Sequence, residues 1–594
     1  MMDTGRSSSR SEDFEKREGH PLETITSKTP VNESDEQHAV ANPGPGPEVH
    51  QQMNPRLFMT LTCMSFLFIG SQIALYLYGS VFSLITADIG GADRYIWLVI
   101  GYLIPNAALC PFVGALSDLY GRQKVAIAGQ IFLIIGPIIT STANTMNIAI
   151  AGQVFSGVGA GLNELIALAG TGEVVPIKDR SFYVGCVILT MIPFLPCSLY
   201  AHWISEAASW RYNGIFIGVW NFIGLVLCIL FYKDPSRITD TYTRRDVLRK
   251  VDFIGGFLST AGVTLFMMGL QWSSLQYKWG SAHNVAPFTI GLIFIIAFFI
   301  WEFKAPYPMC PRELFSKSKR TTISILLITF FSGGNYFVML LLWPSELTAV
   351  WGGDEKTIGI RTLPVGFCII GGAAICLGLI IATKGRIREL MIFFTALMTA
   401  ATGAMSIGRP DNINETLVVV SFACLGVGGI LIPTSIIAQT IVPDEYIATI
   451  TAITLSIRFV GGAIGFSIYT NVLTHKTTEY FTKYVAIDTL VTKSIVNFLN
   501  PDGQATIAAI ASALGNSRFA EVKHILATSP SVINRDAYPE ILAATQKSWA
   551  LAYRYPYWIS IAFGGVCFIS SFFIADVRPM MMTKRVTNPL KLSR

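Results

Sequence analysis

Residues 114–124 read GALSDLYGRQK, and residues 378–388 repeat the plan of this stretch as GLIIATKGRIR. Both begin with Gly, reach a Gly-Arg pair after the same interval and end on a basic residue. Two apolar segments beyond each copy lies a glycine motif, GVGAG at 157–161 and GVGGI at 426–430. The chain is therefore predicted to contain two related halves.

Apolar stretches surround both copies, and each has about 17 to 25 residues, enough to cross roughly 30 Å of hydrocarbon as a helix. We predict fourteen such spans, near residues 57–80, 96–116, 124–142, 148–170, 182–203, 212–232, 252–272, 285–303, 321–343, 361–383, 389–407, 416–438, 450–472 and 556–575. Spans one to six and nine to fourteen form two six-helix halves, and spans seven and eight are inserted between them. The predicted fold class is an all-α polytopic membrane protein with paired halves, as in many secondary transporters.

The domain organisation follows from these spans. Residues 1–55 are polar and rich in Ser, Glu and Pro, which predicts a disordered cytosolic tail. The other predicted parts are a first half at 56–235, two inserted helices with flanking cytosolic loops at 236–320, a second half at 321–575 with a long external loop at 473–550, and a cytosolic tail at 576–594.

Composition excludes several classes of protein. Hydrophobic residues make up 52% of the 594 and charged residues 14%, whereas a soluble domain has roughly 25% charged residues. The ten cysteines lie almost entirely in apolar stretches, so neither a disulfide framework nor a zinc site is indicated. The net charge of +6 comes from basic residues in short loops, which makes nucleic-acid binding a poor interpretation. We expect no metal and no cofactor.

Loop charges predict the orientation in the membrane. Lys and Arg concentrate in the even-numbered connections, such as 233–250, and the positive-inside rule then places both termini in the cytosol. One inward loop, IVPDEYIA at 441–448, has no basic residue and does not fit this pattern. We expect a multi-pass protein of the plasma membrane, with the vacuolar membrane as the alternative.

The motif at 114–124 resembles the loop between spans two and three of the major facilitator superfamily, and the fourteen-span form resembles its drug:proton antiporter branch. GQVFSGVGAGLNELIALAGTGEVVPIKDR at 152–180, RYNGIFIGVWNFIGLVL at 211–227 and VDFIGGFLSTAGVTLFMMGLQW at 251–272 are similar to the fungal trichothecene efflux pump family. There are two departures from the branch. Gln153 stands where many proton-coupled relatives have Arg, and GCVILTMIPFLP at 185–196 lacks the Gly-Pro motif of span five.

Span four presents a candidate coupling face. Gln153, Gly157, Gly161 and Glu164 are spaced by four, four and three residues, which places them on one side of a helix. The glycines suit close packing of helices. An ionised carboxylate inside the membrane needs a partner, a wet cavity or a proton. Glu164 is therefore a candidate for proton coupling or substrate binding, and a structural pair is the alternative.

Arg458 in span thirteen is the second charged candidate within a span. Because its guanidinium stays protonated, Arg458 cannot carry the coupling proton, but it can hold a substrate oxygen or influence a carboxylate. A fixed contact to backbone carbonyls is the alternative. Polar residues inside other spans could line a cavity or join helices by hydrogen bonds, namely Gln72, Asn106, Asn221, Asn335 and Gln439.

The turn between spans two and three is a candidate cytosolic gating loop, formed by Gly114, Asp118, Gly121, Arg122 and Lys124. Its glycines allow tight geometry, and Asp118 can bond a helix N-terminus or pair with Arg122. The resemblance implies a latch between the halves. In the second copy Ala382 replaces the aspartate, which predicts a degenerate latch.

These features predict a secondary transporter and not an enzyme. No Walker loop for ATP is present, so transport must draw on a gradient. We expect a monomeric efflux pump that exchanges protons for a small hydrophobic compound such as a mycotoxin, another secondary metabolite or a drug. The alternatives are uptake of a ferric siderophore by proton symport and a membrane sensor that does not transport.

Overall fold

The computed structural model describes residues 55–576 except 92–93, 176–179, 234–251, 276–279, 307, 309, 311, 316–317, 384, 443–445, 494, 498–500, 516–518 and 535. The two predicted tails and most of the basic loop at 233–250 therefore lie outside the described residues. The described chain is almost entirely helical, because backbone groups in lipid must find their hydrogen bonds within the segment.

Fourteen helical segments correspond to the predicted spans, and we number them α1 to α14 in chain order. They are α1 Pro55–Ser80, α2 Trp97–Tyr120, α3 Arg122–Ser141, α4 Met146–Val174, α5 in two pieces, Arg180–Leu189 and Cys197–Ala207, α6 Tyr212–Phe231, α7 Phe253–Leu275, α8 Ala282–Lys304, α9 beginning with Lys319–Phe337, α10 Glu355–Ala382, α11 Ile387–Ala404, α12 Ile413–Ile441, α13 Ile447–Tyr480 and α14 Tyr538–Ser571.

Thirteen of these segments are long and apolar enough to cross a membrane by length and composition, and α14 is not among them. The contacts of α14 nevertheless place it alongside α9 in antiparallel orientation. The Asn335 amide donates to the Ser560 carbonyl at 3.3 Å, and the Ala575 N–H donates to Thr321 at 3.1 Å. The second part of α14 therefore runs beside a spanning helix over most of its length, as the sequence predicted for 556–575.

Each half is held together by close helix crossings at glycines. In the first half, an added Cβ at Gly136 of α3 would lie 2.7 Å from the Gly152 carbonyl of α4. In the second half, an added Cβ at Gly333 of α9 would lie 2.4 Å from the Arg458 carbonyl of α13. Small residues let helices approach in this way where lipid supplies no hydrophobic force between them.

The internal repeat is visible in the backbone of the two turns. Gly121, between α2 and α3, has φ of +92°, and Gly385, between α10 and α11, has φ of +86°. Such angles favour glycine because a Cβ would clash. We call the side of the membrane with these two turns the turn side, and the opposite side, which holds residues 481–537, the long-loop side.

The inserted helices α7 and α8 form a hairpin on the outside of the bundle. An added Cβ at Gly291 of α8 would lie 2.3 Å from the Phe266 nitrogen of α7, so the two backbones are in direct contact. Thr260 of α7 reaches the Ala108 carbonyl of α2 at 3.4 Å. The outer face of α8 exposes large apolar side chains such as Ile293 and Phe303, which suits contact with lipid.

The region predicted as a long external loop is mostly helical. After Tyr480 the chain continues as a π-helix over Phe481–Val491 and then forms helices at Pro501–Gly515 and Phe519–Thr528. Their apolar side chains form a small separate core that includes Val485 and Leu514. This region is therefore a packed cap on the long-loop side.

Candidate functional site

A cavity of about 180 Å³ lies between the two halves. Side chains from α1, α4 and α5 line it on one side, and side chains from α9, α10, α12 and α13 line it on the other. Its walls are mainly apolar, with a few polar groups such as Gln72, Ser435 and Gln439. Ligand sites of many proteins have this composition. Glu164 and Arg458, the two predicted charged candidates, both face this cavity.

Glu164 is 4% exposed and lies ten residues before the end of α4, about 15 Å from the turn side at 1.5 Å per residue. This is deeper than the sequence suggested, because α4 continues to Val174 and not to a residue near 170. The side chains of Asn106 and Gln72 lie beside the carboxyl, and Arg458 is near enough for its charge to act on it. Among the described residues, no partner satisfies the Oε2 atom.

Arg458 lies on the opposite wall, eleven residues into α13 and thus at a similar depth of about 17 Å. Its guanidinium donates to the Leu431 carbonyl at 2.6 Å and to the Ser435 hydroxyl at 2.8 Å, both in α12. The backbone contact that the sequence analysis offered as an alternative is therefore present. These hydrogen bonds do not satisfy the whole guanidinium group, because the Arg458 Nε atom has no partner in the described chain.

Two tyrosines connect the halves next to these charges. The Tyr76 hydroxyl of α1 donates to the Gln72 amide oxygen at 3.1 Å and lies 2.7 Å from the Tyr336 hydroxyl of α9. Both Tyr336 and Tyr76 are near Glu164 and Arg458. A polar chain of Gln72, Tyr76 and Tyr336 thus crosses the cavity between the halves.

The other residues of the predicted face on α4 serve packing. Added Cβ atoms at Gly157 and Gly161 would lie 2.3 Å from the Tyr102 carbonyl and 3.2 Å from the Asn106 carbonyl, so both glycines face α2. Gln153 is fully buried, and its amide donates to the Thr140 hydroxyl of α3 at 3.3 Å. Gln153 is not among the residues that line the cavity.

The predicted gating loop forms a sharp corner on the turn side. Gly121 ends α2 by donating its N–H to the Ser117 carbonyl at 3.0 Å, and Arg122 begins α3 as a buried residue, 6% exposed. Lys124 is exposed, and Gly114 faces open space. Asp118 lies in the last turn of α2, and its side chain falls outside the described part of the structure.

The cavity is closed on the long-loop side by contacts between α5 and α10. An added Cβ at Gly366 would lie 2.7 Å from the Leu195 carbonyl, and one at Gly359 would lie 2.7 Å from a Leu199 methyl carbon. Nearer the surface, Lys356 pairs with Glu206 at 3.6 Å. On the turn side, the cavity continues to Gln439, which donates to Thr451 at 3.0 Å. The cavity therefore faces the turn side.

Helix α5 is broken where it meets this cavity. The chain leaves the α-helix after Leu189, forms a short 3₁₀ turn at Ile192–Phe194 and resumes at Cys197. Pro193 and Pro196 account for the break because proline cannot donate the helical hydrogen bond. Discontinuous spans commonly mark binding sites in transporters. The Met191, Phe194 and Leu195 side chains form this part of the wall.

Sequence reasoning missed Glu346, a second carboxylate within a span. The sequence placed the end of span nine near residue 343, but α9 continues through π-helical turns at Val338–Leu342 and Leu347–Trp351. Glu346 is 1% exposed and accepts a short hydrogen bond from the Tyr557 hydroxyl of α14. Tyr336 was also missed, and no pattern distinguishes it from other aromatic residues in the spans. The available signal for Glu346 was the apolar sequence on both sides of it, VMLLLW at 338–343 and LTAVW at 347–351.

Known proteins resemble the chain over most of its length. The profile of the family described as Fungal trichothecene efflux pump (TRI12) matches residues 38–591. The MFS-type efflux transporter phmH of Phaeosphaeria nodorum is 27% identical over 493 residues, 79% of this chain and 78% of that protein. The acurin A biosynthesis cluster MFS-type transporter of Aspergillus aculeatus is 25% identical over 509 residues, 83% of this chain and 84% of that protein.

A solved structure shares the fold. It is a bacterial homologue of the human lysosomal transporter Spinster, with a TM-score of 0.54 and 15% identity, and the match covers 90% of this chain and all of that one. Together with two repeated halves around a central cavity, these matches establish a multi-pass transporter of the major facilitator type. The chain belongs to the fungal trichothecene efflux pump (TRI12) family.

Proposed function

We propose that this protein exports a small hydrophobic organic compound from the cytosol in exchange for protons. The observation that carries the proposal is the position of Glu164, which is buried in the cavity opposite Arg458 and has one carboxyl oxygen that no described residue partners. A carboxyl group can take up and release a proton, whereas the guanidinium keeps its charge. The two groups thus provide one switchable charge and one fixed charge on different halves.

The exchange can follow from the attraction between these groups. When Glu164 is ionised, its negative charge attracts Arg458 across the cavity; a proton on Glu164 removes this attraction. The polar chain through Tyr76 and Tyr336 joins the same two halves. Protonation therefore changes the energy of one arrangement of the halves relative to another, which alternating access requires.

The lining of the cavity supports a hydrophobic substrate with few polar groups. Leucine, isoleucine and phenylalanine side chains from both halves provide most of the surface, and Gln72, Ser435 and Gln439 provide scattered hydrogen-bonding groups. A compound with a compact apolar skeleton and a few oxygens fits this arrangement. Mycotoxins, other secondary metabolites and many drugs have this chemistry.

The proton gradient provides enough free energy for such export. One charge that crosses 100 mV yields about 2.3 kcal/mol, and a pH difference adds to this. We further propose that the turn side is cytosolic, as the loop charges predict, and that the protein acts as a monomer in the plasma membrane. The cavity then opens toward the compartment from which the compound is taken. The corner at Gly121 and Arg122 serves as a latch on that side.

Accumulation of labelled compounds in yeast cells that lack their own pumps tests the proposal. Cells are given a labelled trichothecene and, separately, a labelled ferric siderophore, with and without this protein and a protonophore. Lower trichothecene accumulation that the protonophore reverses is the expected result. Increased siderophore uptake would overturn the proposed direction. No change in the transport of either compound would favour a different substrate or a protein that does not transport.

A further inference from the structure

A second cavity lies on the long-loop side, beyond the contacts that close the central one. It measures about 350 Å³, within the range of roughly 300–1,000 Å³ typical of small-molecule sites. Phe82 and Tyr95 from the first half contribute to its wall, and α9, α13, α14 and the cap at 481–537 provide the rest. We call this cavity the vestibule.

Helix α9 separates the vestibule from the central cavity. Leu341 and Pro344 line the central cavity, whereas Leu342 and Ser345 line the vestibule. This part of α9 includes the π-helical turn Val338–Leu342, a form of helix that is rare and concentrates at functional sites. The two cavities are therefore neighbours along α9, with the vestibule nearer the long-loop side.

Hydroxyl groups line one face of the vestibule. They belong to threonines spaced by four, three, one and four residues along α13 and its π-helical extension, namely Thr470, Thr474, Thr477, Thr478 and Thr482. Thr470 and Thr478 donate to carbonyls of their own helix, which leaves their oxygens free to accept. None of the described lining residues is charged.

Two donors in this wall have no partner within the described part of the chain. Thr477 is 7% exposed, and its hydroxyl finds no hydrogen bond among the described residues; the indole N–H of Trp549 is likewise buried and unsatisfied. Buried polar groups are normally paired, and acceptor oxygens of a ligand beside these two donors would supply the missing partners. Trp549 also lies within an aromatic group, with Phe481 at 5.4 Å and Tyr553 at 5.8 Å between ring centroids.

We propose that the vestibule is a second substrate site, which the exported compound occupies on its way out, and that it selects neutral compounds with epoxide, ester, carbonyl or hydroxyl oxygens. The lack of charge in the wall disfavours ions, and a pure hydrocarbon would leave the Thr477 and Trp549 donors unpaired. This inference rests on the proposed export function, because only export makes the vestibule the exit.

Protection of a cysteine reporter in purified protein in detergent tests this site. Thr482 is exposed and lines the vestibule, so Thr482→Cys should react readily with a maleimide, whereas the ten native cysteines are buried or half-buried. T-2 toxin, a neutral oxygen-rich trichothecene, should slow this reaction about tenfold when the site is saturated. The exposed Thr528, which is not among the lining residues, provides the matched control reporter Thr528→Cys. Its labelling rate should not change.

Removal of the two orphan donors should weaken the protection. In the Thr482→Cys protein, adding Thr477→Val and Trp549→Phe removes both donors while an aromatic ring remains at position 549, and this should raise the half-protecting toxin concentration about tenfold. An unchanged concentration, or no protection by the toxin at all, would overturn the proposal. Adding Glu164→Gln separates this inference from the proposed function. Glu164→Gln should stop export and leave the protection of Thr482→Cys intact. Loss of protection in a variant that still exports would contradict the vestibule site and not the proposed export.

Discussion

At the scale of single residues, Glu164 is a feature that the packing of the helices does not explain. The bundle packs through glycines and apolar side chains, and nothing in that packing requires a carboxylate at mid-membrane. Glu164 faces Arg458 across the cavity between the halves. In the proposed exchange these halves move relative to each other, so the charge of Glu164 would influence the equilibrium between their arrangements. Such a residue is expected to matter for transport far more than for folding.

Replacement of Glu164 with Gln should stop proton-driven export while the protein still folds. Glutamine has nearly the shape of a protonated glutamic acid but cannot release a proton, so the switchable charge is lost. Export of a labelled trichothecene from yeast should fall to the level of cells without the protein. Size-exclusion chromatography should show the same amount of monodisperse protein. The exposed Glu415→Gln is the matched control and should export normally. Export by Glu164→Gln that remains sensitive to the protonophore would rule out a coupling role for Glu164.

Glu346 has a different role at this scale, because its carboxylate accepts the hydrogen bond of the buried Tyr557 hydroxyl. Glu346→Ala should leave this hydroxyl unpaired and open a cavity, which should lower stability by about 2–3 kcal/mol. Glu346→Gln retains an acceptor oxygen and should stay within about 1 kcal/mol of the unmodified protein. Thermal unfolding in detergent measures both changes. Equal losses in the two variants would show that the charge matters and not the acceptor.

At the scale of elements, the repeated glycine motifs fix the distance between neighbouring helices. Both motifs place glycines against backbone atoms of an adjacent span, as Gly157 does against Tyr102 and Gly428 against Ile369. The sequence favoured packing over ligand contact for Gly157 and Gly161, and their positions agree with that interpretation. The motif occurs in both halves because each half contains a close contact between two helix backbones at this position.

Gly428→Ala should destabilise the protein, because its Cβ would lie 1.9 Å from the Ile369 carbonyl of α10. Backbone atoms cannot move aside without shifting a helix, and such overpacking costs about 1–3 kcal/mol. Gly565→Ala in α14 is the matched control, since its Cβ would meet open space. That variant should gain about 0.5–1 kcal/mol, because alanine favours helix. The unfolding midpoints should move in opposite directions, and a shared direction would contradict the packing argument.

At the scale of the whole molecule, export requires the halves to separate where α5 and α10 now meet. The Lys356 amine of α10 and the Glu206 carboxylate of α5 lie 3.6 Å apart at this contact, and both side chains are exposed. A protein with Glu206→Cys and Lys356→Cys should therefore be cross-linked by a short bis-methanethiosulfonate reagent, which bridges two cysteines through reducible disulfides. Export should then stop, because the long-loop side can no longer open, and a reductant should restore it.

The two single cysteine variants provide the controls for this test. Each should export before and after treatment with the reagent, since neither can form the bridge. Complete cross-linking with undiminished export would show that these ends need not separate during the cycle.

The structure has a helical segment at each of the fourteen predicted spans, including the inserted pair, and the predicted family is confirmed. The amino-acid sequence alone allowed these predictions. It could do so because lipid imposes strong local rules: a span needs a fixed length of apolar residues and must satisfy its own backbone hydrogen bonds. The same rules identified Glu164 and Arg458, since a charge within such a span is unfavourable unless it has a use. The glycines also indicated the two tight turns, because the positive φ that Gly121 and Gly385 adopt there favours glycine.

Which of these residues share a cavity depends on how the helices pack against one another. Helical spacing placed Gln153 and Glu164 on one face, yet Gln153 packs against α3 while Glu164 faces Arg458. The rotation and tilt of each span come from its contacts with several neighbours, which no single segment encodes. The position of Glu346 likewise depends on the π-helical continuation of α9. The vestibule forms between the cap and the helices α9, α13 and α14. Local sequence specifies the helices, whereas packing between distant segments creates the sites.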